Sequence, residues 1–295
     1  MTDSISPDDR KYPKALKEAL KVFTVSMGPK KLYYKGAFDD DIFKNCLAVV
    51  GSRHLTSYGR RMTEQIVGEV AAAGITIVSG FMYGGDEAAH SAAVNAGART
   101  IAVMPCGINV IHPPNQKELY QKILDNNGLI ISEYEEDFMP QTWSYVQRDR
   151  IVAGLSKAIF VTEAALNSGS LVTAKYASKY GRKIFALPGQ ITSELSKGTL
   201  KLIKEGAEIV TEARDILTFF NILVSQKRQP AFAKASAGKC STLEQEIISQ
   251  LKREPMEADL IARNLGMPAA KIGTELSLMQ LKGFINQDSG KYYIN

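Results

Sequence analysis

Cysteine is scarce and poorly placed for chemistry. The 295-residue chain has three, Cys46, Cys106 and Cys240, far apart and without a C-x-x-C pair, which excludes a disulfide framework and a zinc knuckle. Cys106, Asp86, His90 and His112 do not stand at ligand spacing, so no metal is expected, and no cofactor motif is legible either. Long apolar runs are also missing. The stretch from Ile216 to Val224 falls far short of the roughly 18 to 20 residues that cross a bilayer, so no membrane partner is expected. The first ten residues, Met1 to Arg10, lack the basic start and apolar core of a secretory signal, which places the expected location in the cytoplasm. Histidine is rare, and His54, His90 and His112 show no partners for nucleophilic or acid–base work.

What the chain does have is the composition of an ordinary folded protein, 45% hydrophobic and 23% charged, with length for about two domains. The formal charge is +5 and unevenly placed. Residues 221–240 hold Lys227, Arg228, Lys234 and Lys239 with no acid, whereas residues 241–295 set six bases against seven acids. A polyanion would therefore be gripped by a local cluster rather than by a uniformly basic surface. The stretch Ser225 to Lys239 combines small and basic residues without an apolar period, so it reads as a tether. Gly238-Lys239 within it is not a Walker A loop, because Ala233 stands at the first glycine position and Cys240 follows the lysine.

From Cys46 onward short apolar runs alternate with helix-period segments, the pattern of β-α-β units on a parallel sheet. Strands are predicted at 47–50, 75–78, 100–104, 129–131, 158–162 and 183–187, with helices near 58–73, 85–96, 116–126 and 170–180. Gly74, Gly97 and Gly181 stand where a left-handed residue closes a helix. The fold class is α/β: an extended Rossmann-like doubly wound sheet followed by a small winged-helix domain. The domains are a lead-in at 1–44, a Rossmann-like domain at 45–224, a basic linker at 225–241 and the winged helix at 242–295. The last is read from three helices, 243–252, 257–265 and 268–282, and a hairpin turning at Asp288-Ser-Gly290.

In a doubly wound sheet ligands bind beyond the carboxyl ends of the strands. Four loops there are alike: Gly51-Ser52-Arg53, Ser79-Gly80, Asn167-Ser-Gly-Ser170 and Pro188-Gly189. Glycine lets amides approach an anion, serine adds donors, and a helix N-terminus adds positive potential, which suits phosphate. Glycine and serine also serve ordinary βα turns and N-caps. Nearby bases are Arg53, Arg148, Arg150, Lys175, Lys197, Lys201 and Lys204, the last three at helical spacing. In Arg148-Asp149-Arg150 the guanidinium groups either pin a loop by ion pairs or offer forks to phosphate. Tyr83, Trp143 and Tyr145 fall in loop-like segments and are candidates to stack on bases, with packing the alternative for Trp143.

These residues resemble one family closely. Val50-Gly-Ser-Arg53 with Ser57-Tyr-Gly59, Ser79-Gly80 with Asp86 and His90, Ser132-Glu-Tyr134, Arg148-Asp-Arg-Ile151, Ser168-Gly-Ser-Leu171 with Thr173, and Ala186-Leu-Pro-Gly189 match the order and spacing of the DNA-processing protein A family, DprA or Smf, over roughly residues 12 to 217. The resemblance implies a single-stranded DNA-binding recombination mediator, not an enzyme, that protects incoming DNA and helps load RecA recombinase in natural transformation, usually as a homodimer. Its implied DNA contacts are Gly51, Ser52 and Arg53; the loop Gly80 to Gly85 with Tyr83 and Gly84; Arg148 and Arg150; Ser168, Gly169, Ser170 and Thr173; and Gly189. Three departures stand out: Tyr83 where the family has arginine, and Asp149 and Leu200 where it has asparagine. The alternative reading is a nucleotide-processing Rossmann enzyme similar to phosphoribohydrolases, whose Pro-Gly-Gly-x-Gly-Thr segment is absent because Pro188-Gly189 leads to Gln190-Ile-Thr192.

Overall fold

Strands buried on both faces must be apolar at every position, and Cys46–Val50 is such a run. In the computed structural model, which describes residues 3–22, 28–222, 241–288 and 290–294, all five residues of this strand are buried. The chain divides into two compact units, Met1–Val224 and Ser225–Asn295. The predicted linker at 225–241 lies outside the described residues apart from Ser241, as does Ser289 of the predicted hairpin turn.

Among the described residues the first unit carries nine strands: β1 Asp3–Ile5, β2 Leu32–Gly36, β3 Cys46–Val50, β4 Thr76–Ser79, β5 Thr100–Val103, β6 Leu129–Ser132, β7 Ala158–Val161, β8 Lys183–Ala186 and β9 Glu208–Ile209. They form one sheet in the order β1-β2-β6-β5-β4-β3-β7-β8-β9. The run from β6 to β9 is parallel, and β2 and β1 add two antiparallel strands at one edge. The doubly wound fold expected from the sequence is therefore present, and Asp3–Ile5 and Leu32–Gly36 of the predicted lead-in belong to its sheet. Strand order reverses between β3 and β7: the chain winds outward from β3 through β6, then returns to set Leu47 beside Ala158. A crevice opens at such a reversal because the connections on either side leave toward opposite faces.

The helices are α1 Lys14–Leu20, α2 Ser57–Ala72, α3 Gly85–Asn95, α4 Lys117–Asp125, α5 Thr142–Leu155, α6 Ser170–Lys179, α7 Lys197–Lys204 and α8 Ala213–Phe219. Alternation along β3 sorts them. Ala48 and Val50 belong to the core with Leu16 of α1, Ile151 and Val152 of α5 and Leu171 of α6. Leu47 and Val49 belong to the core with Ile66 and Val70 of α2, Ala89 and Ala93 of α3 and Ile216 of α8. α2 starts at Thr56, whose hydroxyl accepts from the Gly59 amide at 3.0 Å. Gly74, Gly97 and Gly181 take the predicted positive φ, at 93°, 68° and 67°.

One segment departs from the sequence reading. Trp143 and Tyr145 are not in a loop but in the first turn of α5. Its buried face includes Ser144, Arg148 and Arg150 as well as Ile151 to Leu155, so polar residues interrupt the apolar period that would announce a helix.

The second unit consists of α9 Thr242–Leu251, β10 Met256–Glu257, α10 Ala258–Leu265, α11 Ala269–Leu281, β11 Ile285–Asp288 and β12 Lys291–Ile294. Ser241 and Glu244 form a capping box, the Glu244 amide donating to the serine hydroxyl at 3.1 Å and the Ser241 amide to the carboxylate at 2.6 Å. The three helices pack Ile247, Ile261, Ile272 and Leu276 over a β10-β12-β11 sheet, a winged helix. On α11 the exposed residues include Lys271, Thr274, Ser277, Leu278 and Leu281, and Lys282 beyond its end pairs with Glu244 at 2.7 Å. Among the described residues, no helix is long and apolar enough to cross a membrane.

Candidate functional site

The crevice at the strand reversal is a cleft of about 300 Å³. Four segments line it: Val50 to His54 after β3; Gly80, Met82 and Tyr83 after β4; Tyr145, Val146, Arg148, Asp149 and Val152 on α5; and Asn167 to Ser170 with Thr173 at the start of α6. Its floor is built from main chain. A Cβ on Gly51 would fall 2.3 Å from the Thr162 hydroxyl, and one on Gly85 would fall 2.6 Å from the Gly51 Cα. Gly84, at φ 71°, brings its Cα over the Ser52 carbonyl, where a Cβ would stand at 2.3 Å. Any side chain at these positions would push the loops apart.

Glu163, at the end of β7, holds the first loop from below. Its carboxylate accepts from the Thr56 amide at 2.8 Å and the Thr56 hydroxyl at 2.6 Å, and its carbonyl accepts from the Ser52 amide at 2.7 Å. Sequence reasoning missed it. The available signal was an acid directly after an apolar strand, at the strand end where sites form.

Two arginines and two carboxylates set the charge. Arg148 is only 4% exposed; its guanidinium lies over Gly80, where a Cβ would be 1.9 Å from Nη1. Nη1 donates to the Val103 carbonyl at 2.7 Å, and Nε lies 3.2 Å from Asp149 Oδ1. Asp86 accepts from the Met82 amide at 3.2 Å. Burial pushes the Asp86 carboxyl up, against the pull of Arg148. Burial likewise pushes Asp149 up to about 7, with Arg148 opposing and the Asp86 charge adding to the rise. Arg53 is exposed at the rim, 5.3 Å above the centre of the Tyr145 ring, and among the described residues it has no carboxylate partner. The Tyr145 hydroxyl in turn bonds His112 Nε2 at 2.8 Å. At the start of α6 the Ser168 and Ser170 hydroxyls bond each other at 2.7 Å, and Gly169 has nothing within 4 Å of its Cβ position. Together these give the cleft a helix N-terminus, paired hydroxyls and a rim guanidinium, all suited to phosphate oxygens.

Of the residues singled out in the sequence, Gly51, Ser52, Arg53, Gly80, Tyr83, Arg148, Ser168, Gly169, Ser170 and Thr173 line this one cleft. Gly84 and Gly85 lie directly behind it, in contact with the β3 loop. The others lie elsewhere. Arg150 is buried, and its two terminal nitrogens each donate to a Glu133 oxygen at 2.6 Å. Arg148 and Arg150 are two residues apart on a helix, so they point to opposite sides; the ion-pair reading holds for Arg150, while Arg148 combines a structural bond with a place on the cleft wall. Gly189 packs on Ser196, whose Oγ a Cβ would meet at 2.1 Å. Lys197 pairs with Glu194, Lys201 lies 3.8 Å from Glu205, and Lys204 and Lys175 are exposed outside the cleft. Trp143 packs edge-on to Tyr134, centroids 5.8 Å apart, and remains 53% exposed. Asp149 and Asp86 are cleft residues that the sequence-based site omits.

An open, mostly parallel sheet with a glycine-floored cleft at its strand reversal and a helix N-terminus at the rim defines a protein of the Rossmann type. The chain belongs to the DNA recombination-mediator protein A family, whose model matches residues 3–221, and residues 229–291 match the DprA winged helix domain. It is 36% identical over 249 residues to protein Smf of Escherichia coli, covering 83% of this chain and 67% of that protein. It is 41% identical over 192 residues to DNA processing protein DprA of Streptococcus pneumoniae, covering 65% and 67%. The X-ray structure of the latter superposes with a TM-score of 0.67 at 37% identity, covering 74% of each chain. A structure of DNA processing protein A from Helicobacter pylori, described for its single-stranded DNA binding mode, gives 0.65 at 32% identity and covers 75% of this chain and 96% of that one.

Proposed function

We propose that the cleft binds single-stranded DNA through its sugar-phosphate backbone and that the chain acts as a recombination mediator without catalysing a reaction. The observation that carries this reading is the convergence of three segments on one cleft: the Gly51–Arg53 loop, Gly80 beneath Arg148, and the Ser168–Ser170 turn. Arg53, exposed and free of a carboxylate partner among the described residues, meets a phosphate first. The α6 amides and serine hydroxyls take a second phosphate oxygen set. Tyr83, whose hydroxyl donates to Asn115 at 2.9 Å, and Tyr145 offer ring faces to bases, which makes binding tolerant of sequence. Lys175, Lys197, Lys201 and Lys204, outside the cleft, would follow a strand that runs beyond it. The Helicobacter relative described for its single-stranded DNA binding mode supports the ligand class, and the family's description as a recombination mediator supports the mediator role; delivery to RecA recombinase in natural transformation, by a homodimer, is the finer part of the proposal.

Fluorescence anisotropy with labelled oligo-dT tests the binding step. Affinity should fall with salt at a log-log slope of about −0.7 per phosphate neutralised, and duplex of the same length should bind more weakly. The Arg53→Ala variant should lose about tenfold or more, the value of a charge-assisted hydrogen bond. No binding at about 50 mM salt, or binding without salt response, rejects the reading. Delivery is tested by whether the protein shortens the lag before RecA hydrolyses ATP on DNA coated with single-strand binding protein; an unchanged lag rejects that part alone.

A further inference from the structure

The cleft holds two carboxylates where an anion is to sit, and one of them is placed to be more than a repulsive neighbour. Asp149, on α5, lines the cleft and keeps 14% of its side chain exposed. The groups that face it come from every wall. Arg148 on the same helix is 3.2 Å away, Thr173 on α6 borders the same cleft, Asp86 on α3 is near enough to repel it, and Arg53 acts on it from the β3 loop. His54 and Tyr145 also border the cleft.

With both aspartates ionised, the two arginine charges at the cleft are offset by two carboxylate charges, and Asp149 Oδ1 already lies 3.2 Å from the Arg148 Nε. A neutral carboxyl removes one negative charge and supplies an O–H donor in its place. We propose that Asp149 is a phosphate-binding residue that acts only as its neutral acid, so that single-stranded DNA enters the cleft together with one proton. This rests on the reading of the cleft as the DNA site.

The sign follows from the surroundings. Burial, then the charge of Asp86, raise the Asp149 carboxyl to about 7 against the opposing pull of Arg148, Thr173 and Arg53. A phosphate beside it raises it further. The empty cleft thus loses the proton above about pH 7 while the occupied one keeps it, so affinity is flat well below neutrality and declines above it. If only the neutral form binds, the dissociation constant rises about tenfold between pH 6 and pH 8.

The experiment measures labelled oligo-dT binding by anisotropy across that range, at fixed ionic strength, for the wild type, Asp149→Asn and His54→Gln. The wild type should weaken about tenfold toward high pH. Asp149→Asn, uncharged and always a donor, should bind with nearly the same affinity throughout. His54→Gln should keep the wild-type ratio between the two ends, whatever its absolute affinity. Calorimetry of the wild type in buffers of different ionisation enthalpy should show proton uptake on binding, independent of any variant's folding. A pH-independent wild type, no proton uptake, a pH response that survives in Asp149→Asn, or one that vanishes in His54→Gln overturns the inference while leaving the DNA site standing. Absence of binding at every pH overturns both.

Discussion

Removing Glu133 tests Arg150 as a structural arginine, apart from the Arg148 that lines the cleft. Arg150 and Glu133 face each other with side chains 3% and 7% exposed, joined by two hydrogen bonds of 2.6 Å, and Arg150 also donates to the Gln147 carbonyl at 2.6 Å. Glu133→Ala leaves the guanidinium in the same dry surroundings with that carbonyl but without its countercharge. Breaking a buried pair from one side costs about 3 to 5 kcal/mol. For a unit of this size each kcal/mol lowers the melting temperature by about 2 to 4 °C, so a drop of roughly 6 to 20 °C is expected. Replacing both partners by apolar residues, Glu133→Leu with Arg150→Met, removes the uncompensated charge and should recover most of the loss. Thermal and urea unfolding of the wild type, Glu133→Leu, Arg150→Met and their combination give the coupling. Oligo-dT affinity, measured well below the transition, should be nearly the same in all four, because neither group lines the cleft. A Glu133→Ala cost below about 1 kcal/mol, or a double variant no more stable than the single one, would refute the reasoning.

Gly80→Ala should weaken oligo-dT binding several-fold with little loss of helix content by circular dichroism, because the new methyl displaces the Arg148 guanidinium now resting on the glycine; full affinity would show that Arg148 does not shape the cleft. His90 is fully buried with Nδ1 2.8 Å from the Thr100 hydroxyl, and burial followed by the Arg148 charge holds its imidazole down at about 3. Its contribution is complete above the ordinary value of 6.5 and is lost as pH falls from there toward 3. The urea midpoint should therefore drop on acidification, and His90→Gln should show a smaller drop over that interval; equal drops would sink this account.

Much of the sheet was legible because each central strand is an unbroken apolar run ended by glycine or serine, as in Cys46–Val50 followed by Gly51. The antiparallel edge was not. β2 reads Leu-Tyr-Tyr-Lys-Gly, with only Leu32 buried and mixed polarity elsewhere, and β1 has three residues. Helix α5 escaped because a helix that must bury Arg148 and Arg150 cannot show a clean apolar stripe; its remaining signal was a stretch from Thr142 to Leu155 free of proline, just after Pro140. The first three glycine and serine loops meet at the cleft, but the fourth does not, since Pro188 and Gly189 are engaged by Tyr58 and Ser196. Nothing in residue type separates these loops. The placement of the strands does: the loops after β3 and β7 and after the neighbouring β4 reach the crevice, whereas the loop after β8 does not.

The contact of Gly51 with Gly85 has a consequence for how tightly a ligand can be held. Where two peptide segments touch through their α-carbons, no rotamer has to be frozen when the cleft fills, so the entropic penalty of ordering the floor was already met when the chain folded. Exchanges among the rim side chains can then tune the strength of the grip over generations, while the floor beneath them keeps its shape.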